Sequence, residues 1–122
     1  MDTDFHYVIN TETKTVHAAS KPVVIGKNNW IAGLNVVKKG ARTPTGTIVA
    51  GPYSMIGKDY TKIVNDYSII GGSPAKLIAE DFRRIINWDV QQELHHYFAK
   101  NAAPYIFPTD GDIEKICLKG TL

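Results

Sequence analysis

The stretch VIGKNNWIAGLNVVKKGARTPTGTIVAGPYSMIGKDYTKIVNDYSIIGGSPA, Val24 to Ala75, decides the fold. An aliphatic residue or a small substitute returns at every sixth place, at Ile25, Ile31, Val37, Thr43 and Val49. An amphipathic helix repeats near 3.6 residues and a strand at 2, so a period of six belongs to neither. It suits a coil of triangular cross-section, in which each short flat strand sends one residue to the axis. Hexapeptide periodicity of this kind is a signature of parallel β-helices. Gly26, Asn28, Gly33, Gly40 and Gly46 fall near the expected corners, where a positive φ costs Gly little and Asn tolerably. A chance run would not keep four aliphatics and one small substitute in register with matched corners.

Composition bounds the rest. The chain has 122 residues and a formal net charge of +2, a length for one modest core. So even a charge balance gives no argument for nucleic acid or an anionic membrane as partner, although local basic clusters can still hold phosphates. The lone Cys117 has no partner for an internal disulfide and reads as a reduced, partly buried side chain. No long apolar run suggests membrane insertion, and MDTDFHYVIN carries acids rather than a basic-then-apolar leader. The expectation is a cytoplasmic protein.

On either side of the coil the period changes. Phe5, Tyr7 and Ile9 alternate with His6, Val8 and Asn10 as a short strand would, and Asn10 to Lys14 reads as a polar loop. Pro22 starts the first strand of the coil. Residues 60 to 67 leave the repeat, and Gly71-Gly72-Ser73-Pro74 makes a preset turn. From Ala79 the spacing of Phe82, Ile85, Ile86, Leu94, Tyr97 and Phe98 predicts a helix over about Glu80 to Lys100, with Trp88 off its stripe or breaking it near Asn87. Such a helix would cap the open end of the coil. The tail from Tyr105 suits a short strand or a helix. Two domains result: a β-helix over 1–78, and a helix with tail over 79–122.

IGKNNWIAGLNVVKKG, TGTIVAGPYSMIGKDY and YSIIGGSPAKLI closely resemble the closing turns of the hexapeptide-repeat acyltransferases. The resemblance covers roughly residues 2 to 90 and is nearest to sugar and polysaccharide O-acetyltransferases. Its most specific pieces are Trp30 to Gly33 and Gly71 to Lys76. It implies a mainly β fold, a left-handed parallel β-helix with a C-terminal α-helix. It also implies transfer of an acetyl group from acetyl-CoA to a saccharide hydroxyl, with no metal, by a homotrimer whose sites lie between subunits.

Read by composition alone, His6 is surface decoration near a terminus. The resemblance changes that, because relatives carry an Asp-x-Asp-x-His run upstream of the Trp-Ile-Gly turn and its His is the catalytic base. An unperturbed pKa near 6.5 suits a ring that must accept the hydroxyl proton. Asp4 is the carboxylate expected to orient it, with Asp2 on the same face by strand alternation. The resemblance places Trp30, Ala32, Gly33, Ala50, Lys58, Lys76 and Arg83 along the cofactor. Small residues admit the pantetheine arm, and the cations meet phosphate. Ala32 stands where relatives usually have Gly. Lys38-Lys39-Gly40 resembles the family's Lys-Gly turn, which implies a place along the cofactor, although paired lysines are most often simply solvated. One extra residue, Pro52 or its neighbour, is expected to bulge a corner. His17, His95 and His96 match no motif.

About two full turns lie between residues 24 and 59, fewer than the three or so repeats a solenoid usually needs. Relatives carry further turns upstream, so the chain reads as a shortened member whose first coil needs covering. That leaves a rival reading, a non-catalytic β-helical assembly module. A zinc enzyme of the β-helical carbonic anhydrase type is more distant, since His6 and His17 alone do not make its three-histidine set.

Overall fold

The structure is a computed structural model that describes residues 3, 4 and 6–118; Asp2 and Phe5, named above, lie outside them. Its chain forms two compact units, 1–83 and 84–122.

The first unit is the coil. Three parallel ladders run along it, one for each face of a triangle. On the first face β1 (Trp30–Ile31) pairs with β3 (Ile48–Val49), which pairs with β5 (Ile69–Gly71). On the second, β2 (Val36–Val37) pairs with β4 (Met55–Ile56). On the third, single parallel bridges join Val24 to Arg42 and Arg42 to Asp59. Register stacks one inward residue per face: Ile31 under Val49 under Ile70, and Val37 under Ile56. Val49, Ile56 and Ile70 are all 0 % exposed, with Ile31 and Val37 packed against them. One place beyond the third-face bridges come Ile25, Thr43 and Tyr60. Thr43 and Tyr60 are buried, whereas Ile25, on the first coil, is 41 % exposed.

The extra residue falls where expected. Ile31 pairs with Val49, eighteen places on, but Val37 pairs with Ile56, nineteen on. Between them lie the cis Gly51–Pro52 bond and Tyr53 at φ +67. Side chains close the corners. Asn35 donates to the Ala32 carbonyl at 2.9 Å and accepts from the Ser54 amide at 2.8 Å. Asn29 and Thr43 meet at 2.6 Å at another.

The Gly71–Pro74 turn ends the parallel stacking. The chain then doubles back as β6 (Lys76–Ala79), antiparallel to β5, a reversal the hexapeptide period does not encode. The core follows the axis and includes Ala41, Val49, Ile56, Tyr60, Val64, Ile70 and Ala75. Ahead of the coil, residues 3, 4 and 6–20 form an antiparallel arm. Bridges join Thr3 to Ser20 and Ile9 to Val16, and the Asn10 carboxamide caps the turn by accepting from the amides of Glu12 and Thr13.

In the second unit helix α1 spans Trp88–Phe98, not the longer run that the apolar spacing suggests. Asn87 starts it, its side chain accepting from the Val90 amide at 3.3 Å. Before that point the chain is tied elsewhere: the amides of Ile86 and Asn87 donate to the Cys117 carbonyl, and Asn87 Nδ2 to the Lys115 carbonyl. A chain so engaged has no amides left for a helical ladder. The tail resolves as a short helix, α2 (Ile113–Cys117), capped by Asp112 and burying Cys117.

Candidate active site

The residues expected along a cofactor divide over three corners of the coil. Ala32, Gly33, Ala50 and Gly71 gather at the corner after the first face. Register puts Ala32, Ala50 and Gly71 in one column, where amides of Ala32 and Ala50 donate across the ladder to Val49 and Ile70. A Cβ built on Gly51 would lie 2.8 Å from the Gly33 carbonyl oxygen and 3.0 Å from the Ala32 Cβ, so the two coils touch closely there. Gly33 itself is open: a Cβ on it would meet nothing within 4 Å. Trp30 stands on the outer side of the first face, 45 % exposed and in register with Ile48. Lys76, exposed, pairs with Gly71 across the antiparallel return.

Lys58 belongs to the next corner. There a cleft of about 150 Å3 is lined by Lys38, Met55, Gly57, Lys58, Tyr60 and Pro74. The Lys58 ammonium lies 5.5 Å from the centre of the Tyr60 ring. Among the described residues neither lysine of the cleft pairs with a carboxylate, so two cations without a counter-charge flank an apolar floor. Lys38, which the Lys-Gly turn had suggested for the cofactor with simple solvation as the alternative, follows β2 directly and lines this cleft with Lys58.

Arg83 is at the third corner, stacked 3.6 Å from the centre of the Tyr67 ring. The same ring packs on Gly46, which has φ +68; a Cβ there would come within 2.2 Å of the ring. Arg83 is therefore held flat against an aromatic face, apart from the Lys38–Lys58 cleft.

His6 is exposed on the N-terminal arm. Asp4, expected beside it, is turned to Lys39: their charged groups meet at 2.5 Å. Among the described residues no hydrogen bond or ion pair joins Asp4 to His6. His17 is also exposed on the arm, and His95 and His96 are exposed in the last turn of α1. Among the described residues no three His, Cys, Asp or Glu side chains gather as a metal set, and no helix is long and apolar enough to cross a membrane.

An open glycine corner beside stacked amides, with a cationic cleft one corner on, can take a thin uncharged chain and an anionic group. Two solved structures have similar coils. One is the polysialic acid O-acetyltransferase OatWY, 27 % identical over 67 % of this chain and 37 % of that one, with a TM-score of 0.58. The other is the polySia-specific acetyltransferase NeuO, 21 % identical over 82 % of this chain and 43 % of that one, with a TM-score of 0.61. The fold is that of the hexapeptide-repeat acyltransferases. It is a left-handed parallel β-helix, as the period of six and the Trp30–Gly33 and Gly71–Lys76 runs imply. The chain spans less than half the length of either hexapeptide-repeat protein. No family model and no curated protein matches it.

Proposed function

We propose that the chain carries an acetyltransferase site that moves an acetyl group from acetyl-CoA to a hydroxyl of a saccharide. The observation that carries this reading is the pairing of the open Gly33 corner with the Lys38–Lys58 cleft on a hexapeptide-repeat coil. Similarity in fold to two acetyltransferases supports it.

The residues present fit the donor. The pantetheine arm is narrow, needs close approach to backbone, and would run past Ala32, Gly33 and Ala50, with Trp30 beside it. Lys58 and Lys38 would meet phosphate, as compact point charges do; Lys76 and Arg83 would extend the basic surface along the coil. Acetyl-CoA supplies an activated thioester carbonyl. His6, as a neutral imidazole, would take the acceptor hydroxyl proton as the new C–O bond forms and later return it to the departing thiolate. The thioester C–S bond breaks directly, with no acyl-enzyme on Cys117, which is buried in the second unit. Amides along the corner would steady the carbonyl oxygen as charge develops on it. Assembly as a homotrimer would bring His6 of one copy to the cofactor corner of another, and the setting would be the cytoplasm.

Calorimetric titration of acetyl-CoA into the full chain, with free-thiol release measured over a panel of oligosaccharides, tests this. Binding with acceptor-dependent release supports the transferase. Binding without release on any acceptor favours the assembly module, and absence of binding contradicts the transferase outright.

A further inference from the structure

The geometry points to Lys39 as the positioning residue for His6, an inference that rests on the reading of His6 as base. The arm that carries His6 is a two-stranded ribbon, and an isolated ribbon is marginally stable in water. Its strands are joined at both ends. The Asp4 amide donates to the Ala19 carbonyl at 2.7 Å, and the Asn10 amide to the Thr15 carbonyl at 2.9 Å. Between those two bonds lies the Ile9–Val16 bridge.

At the Asp4 end Lys39 adds a tie from the coil. Its ammonium meets the Asp4 carboxylate at 2.5 Å and donates to the Ala18 carbonyl at 2.9 Å. One side chain thus holds both strands of the arm, two residues from His6 on the one side and next to His17 on the other. The Lys39 side chain is 27 % exposed and that of Asp4 48 %, so the lysine end of the pair is half-buried while the carboxylate faces solvent, and the second bond to the Ala18 carbonyl adds to what the ion pair alone would hold.

Lys39 itself is well fixed. The Lys38 amide donates to the Ile56 carbonyl at 2.8 Å, tying the turn to the second coil. Gly40 follows at φ +78, and its amide donates to the Lys21 carbonyl at 3.3 Å. The arm is therefore referred to the rigid coil through Lys39. Asp4 is the arm's anchor, and not the charge that orients the imidazole. The proton-transfer step needs the base within hydrogen-bond reach of the hydroxyl, and small misplacements there are costly in rate.

The test compares Lys39→Met, Lys39→Arg, Asp4→Asn and His6→Ala in the full chain. It reads kcat, KM for acetyl-CoA, and amide hydrogen exchange at Asp4. Lys39→Met should lower kcat about ten-fold, leave KM for acetyl-CoA within two-fold, and speed exchange at Asp4. Lys39→Arg should restore most of kcat, and Asp4→Asn should add little to Lys39→Met, because the two act through one contact. Lys39→Met with wild-type kcat beside an inactive His6→Ala overturns the tether alone. Turnover that survives His6→Ala sinks the base reading and this inference with it.

Discussion

The Tyr60 hydroxyl donates to the Ala75 carbonyl at 2.6 Å inside the coil, where Tyr60 is 1 % exposed and Ala75 0 %. The bond ties the third face to the turn that closes the stack. Tyr60→Phe keeps the ring and leaves a buried carbonyl without its donor. Such orphaned groups cost about 1–3 kcal/mol, so urea unfolding of the variant should show a lower midpoint with an unchanged slope.

Burial also raises the Tyr60 pKa above the ordinary value of about 10. A phenol whose folded pKa is raised keeps its proton in the folded chain while the unfolded chain ionises. Stability is therefore full below about pH 10 and falls as pH rises through that value toward the folded pKa. Thermal midpoints on the alkaline side should fall in the wild type and fall less in Tyr60→Phe.

Two glycines should separate stability from binding. A Cβ on Gly26 would lie 2.4 Å from the Pro44 carbonyl oxygen, backbone against backbone. Gly26→Ala should cost about 1–3 kcal/mol as overpacking. Gly33 faces open space, so Gly33→Ala should fold as stably as the wild type, yet raise KM for acetyl-CoA by occupying the slot. Melting curves and donor titrations read both.

Removing the cations of the cleft should weaken donor binding without loosening the fold. Lys58→Gln and Lys38→Gln should each raise Kd for acetyl-CoA about ten-fold, the scale of one charged hydrogen bond. The wild-type Kd should rise with salt, and less steeply in either variant. Calorimetry at two ionic strengths checks this.

The period of six made Ile31, Val37, Thr43 and Val49 legible as axial residues, because each coil repeats one geometry. Legibility stops where the repeat is broken. Tyr60 fills the third column only because the chain reaches it seventeen residues after Thr43, not eighteen, and no pattern announces that. The return of β6 depends on the Gly71–Pro74 turn sending the chain backward along β5, a choice between directions that turn residues alone do not make. The apolar spacing of Ile85 and Ile86 carried the expected helix too far upstream, although a break near Asn87 was legible from Trp88; Asn87 caps the helix that forms. At the site, Gly33 and Lys58 were readable from motif. The hold of Lys39 on Asp4 joins side chains thirty-five positions apart and has no periodic trace.

The central claim is that His6 is the base of an acetyl transfer, and kinetics of His6→Ala beside acetyl-CoA titration tests it most directly. The account predicts kcat lower by about 10²–10⁴-fold with Kd for acetyl-CoA unchanged, since His6 is on the arm and the donor residues are on the coil. Turnover in His6→Ala equal to that of the wild type would contradict it.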